Sequence, residues 1–150
     1  MPTSDVKPDL ALYIHWPFCQ KKCPYCDFNS HVSTTHDSTE FGTALCLEMS
    51  YMAEILPERR ALTSIFFGGG TPSLMPPDVI GKIIAHAEKT FGFAPMIEIT
   101  AEANPTSVEA KIMTEFYYAG VNRISMGIQS LDNKILKFLS RSFFLFIVSM

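Results

Sequence analysis

The sequence predicts an α/β protein: a parallel sheet with helices outside it, built from four consecutive βα units. Three observations predict this. Strand-like and helix-like apolar patterns alternate four times along the chain. The runs are punctuated by Trp16-Pro17, Pro57, Gly68-Gly69-Gly70, Asn104-Pro105 and Gly120. No composition break or repeat divides the 150 residues, so a single domain fits the length. The alternation alone fits a sheet curled as a barrel or one laid open.

Each element has its own signal. Leu10 to His15 is a short apolar, strand-like run. Phe41, Leu45, Met49, Met52 and Leu56 recur at helical spacing within 39–56, and Pro57 stops that helix. Ser64 to Phe67 forms the second strand. The second helix starts at Pro77 and reaches about Phe91, with Val79, Ile80, Ile83, Ile84 and Ala87 as its apolar face. Ile97 to Thr100 is the third strand. Thr106 or Ser107 can cap a third helix that ends at Gly120. Arg123 to Met126 is the fourth strand, and Asp132 opens a fourth helix reaching about Leu139. The expected organisation is an extension over 1–9, the βα units over 10–141 and a divergent apolar tail over 142–150.

Composition narrows the function. Twelve basic against fifteen acidic residues give a net charge of −3, which argues against nucleic-acid binding by bulk charge. Hydrophobic residues at 47% and charged ones at 18% exclude disorder by composition. The first ten residues carry Asp5, Lys7, Asp9 and two prolines, with no arginine and no apolar core. They resemble neither a secretory signal nor a mitochondrial presequence. The longest apolar run, Phe143 to Val148, is far too short to span a bilayer. A soluble cytoplasmic protein is expected.

Every unusual motif falls after a strand, on the rim where α/β sheets place their ligands. The first strand is followed by Cys19-Gln20-Lys21-Lys22-Cys23-Pro24-Tyr25-Cys26, and the second by Gly68-Gly69-Gly70-Thr71. Glu102-Ala103-Asn104-Pro105 follows the third, and Gly127-Ile128-Gln129-Ser130 the fourth. Three cysteines within eight positions read as metal ligands in a reducing compartment. Thiolates at this spacing can wrap one iron–sulfur cubane and leave one iron open, because no fourth cysteine is nearby. Zinc, completed by His15 or His31, is the alternative on spacing alone. Cys46 lies in a helical pattern and reads as a small core residue. The glycine run fits either a tight turn or a close backbone approach to a polar ligand. Glu102 could accept ribose or ammonium hydrogen bonds, or could simply be a solvated strand-end charge. Tyr13 reads equally as a core tyrosine. Tyr25 sits between two cysteines, where an aromatic can shield a cluster. Lys21 and Lys22 form a solvated pair or a docking patch for an acidic electron donor. His86 reads as surface or half-buried.

These residues resemble the radical S-adenosylmethionine (SAM) superfamily. The stretches Tyr13-Ile14-His15-Trp16-Pro17-Phe18-Cys19 and Cys26-Asp27-Phe28-Asn29-Ser30 are similar to its HemN/HemW group, which contains oxygen-independent coproporphyrinogen III oxidases and heme chaperones. Gly68 to Ser73, Glu102 to Pro105 and Gly120 to Ser130 match the same group in the same order, so the resemblance covers about 10–141.

It implies a partial (βα) barrel of the radical SAM type, with a [4Fe-4S] cluster on Cys19, Cys23 and Cys26. SAM would chelate the open iron, and its reductive cleavage would give methionine and a 5′-deoxyadenosyl radical. The resemblance further implies SAM contacts at Tyr13, Tyr25, Gly69, Gly70, Thr71, Glu102, Gln129 and Arg141. It assigns no catalytic residue beyond the cluster and SAM site. Two departures stand out. The oxidase branch carries a further cysteine where this chain has Phe28, which favours the HemW pattern of heme trafficking, with heme or porphyrin as partner, over oxidative decarboxylation. After Arg141 the family pattern gives way to an apolar tail, which reads as the end of a truncated, inactive form or as a fifth strand. An exposed sheet edge there would lower solubility.

Overall fold

The computed structural model describes residues 9–33, 35–105 and 107–141. In chain order its elements are β1 (Leu10–Trp16), β2 (Phe18–Cys19), β3 (His31–Val32), α1 (Ser38–Ile55), β4 (Leu62–Gly69), a 3-10 turn (Pro72–Leu74), α2 (Pro77–Phe91), β5 (Phe93–Ala103), α3 (Ser107–Tyr118), β6 (Arg123–Met126) and α4 (Asn133–Phe138). The main sheet is parallel throughout, in the order β1-β4-β5-β6. Sequential order without reversal decides between the two arrangements left open by the sequence. A doubly wound sheet reverses direction at a switch point, whereas right-handed crossovers running one way keep every helix on one face, as in a barrel. The fold is therefore four βα units of a partial barrel.

The helices cover the convex face. Ile14 and Trp16 of β1, Ile65 and Phe67 of β4, and Ile99 and Ala101 of β5 pack with Val79, Ile80, Ile83 and Ala87 of α2 and with Met49 of α1. The α2 face is the one the periodicity predicts. On α1 the match is incomplete: Met52 is exposed, and Gly42 is buried where α1 crosses Val79 of α2. Asp37 caps α1 by accepting from the Thr39 and Glu40 N–H groups, and Asp132 caps α4 in the same way. Asn122 fixes β6 beside β5, since its side chain accepts from Ile99 N–H and donates to Ile97 C=O.

β4 and β5 are longer than their apolar runs. Serine and threonine at Thr63 and Ser64 and the glycines at 68–69 hide the ends of β4, and Glu98 and Glu102 interrupt β5. The short parallel pair β2–β3 brackets the cysteine loop and carries no apolar periodicity. Thr106 and the 142–150 tail lie outside the described residues. Among the described residues, no helix is long and apolar enough to cross a membrane.

Candidate functional site

A cavity of about 520 Å³ opens at the carboxyl ends of β1, β4, β5 and β6. It is lined by Cys19, Cys23, Tyr25 and Cys26 of the cysteine loop, by Gly69, Gly70 and Thr71 after β4, by Glu102 at the end of β5, and by Gln129 and Arg141 beyond β6. Ten of the eleven residues that the resemblance assigns to the cluster and SAM thus share one cavity. Tyr13 is the exception: it sits lower on β1, exposed on the concave face and stacked against Phe66.

The cysteine loop is anchored at both ends. Trp16, Phe18, His36 and Phe41 form an aromatic pile behind it, with the His36 ring stacked on Phe18 at 3.8 Å. The pile holds the chain just ahead of Cys19. Cys26 N–H donates to Cys23 C=O, closing a turn between the second and third thiols, and His31 N–H donates to Pro17 C=O as the loop returns. All four cysteines are free thiols. Cys46 does not line the cavity; it packs partly buried on α1, and that burial raises its pKa.

The glycine turn is zipped onto this loop. Gly70 N–H donates to Trp16 C=O and Thr71 N–H to Phe18 C=O, while the Thr71 hydroxyl donates to Cys19 Sγ at 3.5 Å. A Cβ on Gly70 would lie 2.8 Å from Phe18 O and 2.9 Å from Cys19 Sγ, so only glycine lets the two segments meet. Gly69, at φ +110°, donates its N–H to the Glu102 carboxylate. Burial nevertheless raises the Glu102 pKa, the Gly69 bond opposing it only partly. Burial and the Glu102 charge together raise Tyr13 as well.

Arg141 closes the rim. Its Nε donates to the Tyr25 hydroxyl at 3.0 Å and its Nη1 to Asn104 Oδ1, and its guanidinium lies over the Tyr25 ring. Tyr25 is held above its ordinary pKa by burial, which outweighs the opposing Arg141 charge. What aims Arg141 inward is the end of α4. Ser140 takes φ +56°, its N–H donates to Lys137 C=O, and Arg141 N–H donates to Leu136 C=O, the two bonds of a Schellman motif. That turn usually takes glycine, so a serine there gives no sequence signal. Gln129 also sits at positive φ, +69°, and its amide lies against Gly127, where a Cβ would approach to 3.1 Å.

The donor set suits an iron–sulfur unit. Three free thiols from one loop face one cavity, a hydroxyl already donates to one of them, and the glycine cradle beside it has no room for a side chain. Among the described residues, no three His, Cys, Asp or Glu groups stand close enough to share a single ion.

Comparisons with known proteins give the family. The family model described as the radical SAM superfamily matches residues 13–144. A radical S-adenosyl methionine domain-containing protein 1, mitochondrial, of Bos taurus is 39% identical over 132 residues, 88% of this chain and 30% of its own length. A heme chaperone HemW of Haemophilus influenzae is 44% identical over 139 residues, 89% of this chain and 36% of its own. Among solved structures, coproporphyrinogen III oxidase (HemN) from Escherichia coli, titled a radical SAM enzyme, superposes with a TM-score of 0.78 at 28% identity. That match covers 90% of this chain and 31% of that one. The chain therefore spans about a third of the length of the relatives it matches.

Proposed function

This chain belongs to the radical SAM superfamily, and on that premise we propose that its rim cavity binds a [4Fe-4S] cluster and S-adenosylmethionine. The observation that carries the proposal is convergence: the loop thiols, the glycine turn, Glu102 and Arg141 come from four βα units and line one cavity. When bound, the reduced cluster supplies an electron for reductive cleavage of the SAM sulfonium. Cys19, Cys23 and Cys26 would hold three of the four irons as thiolates, and the Thr71 hydroxyl orients Cys19 and would draw charge from it. The open backbone at Gly69 and Gly70 takes the amino-acid end of the nucleotide. Glu102 accepts from ribose hydroxyls or the ammonium, and Arg141 can pair with the carboxylate. Tyr25, held by Arg141, lines the cavity between the second and third thiols, where its ring would shield one side of the cluster.

Within the superfamily we propose a HemW-like role in heme trafficking, with heme or a porphyrin as the cargo. Phe28 supports it, since a residue on the cavity wall stands where the oxidase branch carries cysteine. Likeness to HemN favours the second reading, oxygen-independent coproporphyrinogen III oxidation. In either case Lys21 and Lys22, both exposed, suit an acidic electron-donor protein. A cytoplasmic site of action is proposed; the relatives named as mitochondrial make an organelle the alternative.

Anaerobic reconstitution of the full chain tests the cofactor. About four irons and four sulfides per chain, lost in Cys23→Ser, together with cleavage of added SAM, are expected. One tightly held zinc and no sulfide would overturn the assignment. Heme titration and a protoporphyrinogen assay then separate trafficking from oxidation.

A further inference from the structure

We propose that His15 is a positioning residue that joins the cysteine loop to the nucleotide side of the cavity, and that it does so in one tautomer, with its proton on Nε2. The inference rests on the cavity being the cluster and nucleotide site. His15 stands near the end of β1, two residues after Tyr13 and four before Cys19. Its Nε2 lies 2.8 Å from the Asn29 carbonyl oxygen. A carbonyl brings no proton, so Nε2 must donate. In the neutral ring Nδ1 is then the acceptor, and the Tyr13 hydroxyl, 3.3 Å away, donates to it. Tyr13 is suited to that part because burial and the Glu102 charge both favour its protonated form.

The same imidazole also seats the glycine turn. A Cβ on Gly69 would come within 2.8 Å of His15 Nδ1 and Cε1. One ring therefore touches the returning limb of the loop, Tyr13 and the turn whose N–H holds Glu102. Two consequences follow. Between Cys26 and the β3 pairing, His31 Nε2 lies 3.1 Å from Asn29 Oδ1 within the limb itself, and the other side-chain ties are long: Lys22 Nζ to Ser30 C=O at 3.4 Å and Cys26 Sγ to Ser30 Oγ at 3.9 Å. The bond from His15, at 2.8 Å, is the short side-chain tie from outside the loop, and together with the His31 N–H bond to Pro17 C=O it holds the limb that follows the third thiol. Tyr13, having given its hydrogen to His15, keeps only acceptor capacity for a ligand, which suits an ammonium or hydroxyl donor and repels a carboxylate.

Two measurements on the full chain test this. Nitrogen-15 imidazole spectra should show His15 protonated at Nε2 and bare at Nδ1; the opposite tautomer overturns the proposal without any substitution. Hydrogen exchange over 26–31 should rise about tenfold in His15→Ala and His15→Asn, the loss expected for one short hydrogen bond. It should stay near wild type in His15→Gln, whose amide nitrogen reaches the Nε2 position and keeps the Asn29 bond. Unchanged exchange in His15→Ala also overturns it. Failure of the wild-type chain to take up a cluster would instead remove the site reading and leave the tautomer and exchange results standing.

Discussion

The two faces of the sheet are made by the same strands and behave as different materials. Along β5, Ile99 and Ala101 point to the helices and are buried, while Glu98, Thr100 and Glu102 alternate with them on the concave side. On β1, Ile14 and Trp16 face the helices, and Tyr13 and His15 face the hollow. Strands of parallel sheets usually read as unbroken apolar runs, because both faces are covered. Here the period-2 interruption marks a face given to chemistry. The convex face supplies stability, and the concave face and its rim carry costs that the convex face offsets.

Neighbouring phenylalanines on β4 test that division most strongly. Phe67 is fully buried on the convex side, and Phe66 lies half-buried on the concave side against Tyr13. Phe67→Ala should cost about 3–5 kcal/mol, and Phe66→Ala about 1–2 kcal/mol. Urea unfolding of the two variants reads the difference. Equal losses would mean that the concave face carries as much of the fold as the convex one.

Gly70→Ala is the next effect in size and falls on the rim where the faces meet. The added methyl meets the backbone at Phe18 O and Pro17 C as well as Cys19 Sγ, so no flexible side-chain end can yield. A loss of about 1–3 kcal/mol is expected, together with poor iron retention, because relief requires Cys19 to move. A variant that is destabilised yet keeps its full iron content would separate the glycine turn from the thiol geometry.

Much of this arrangement was legible in the sequence. The α2 face, the β6 limits and the cap at Asp132 follow from periodicity and capping chemistry, which act within a few residues. Where side chains meet through tertiary packing, the sequence was silent. Gly42 is buried in α1 because α2 crosses there, whereas Met52 is exposed. The resemblance pointed to Arg141 as a site residue, but not to its hold on Tyr25 and Asn104. That hold depends on a left-handed serine at the end of α4. The link from His15 to Asn29 spans 14 residues of irregular chain and leaves no periodic trace.

The smallest effect has the opposite sign and is the sharpest test of the contrast. Burial raises the Glu102 pKa above its ordinary 4.5, so the folded chain binds that proton more tightly than the unfolded one does. Glu102 therefore contributes its full stability below the ordinary value, and that contribution is lost as pH rises through the raised one. At neutral pH the ionised carboxylate is held against its solvation preference, only partly relieved by the Gly69 N–H. Glu102→Gln removes the charge and keeps the shape. Its melting temperature should match wild type near pH 4 and exceed it by about 1–2 °C at pH 7, while SAM affinity falls severalfold because a neutral amide attracts an ammonium or ribose hydroxyl less. A variant less stable at pH 7 with unchanged SAM affinity would place Glu102 among the structural residues, and the concave face would then support the fold as the convex face does.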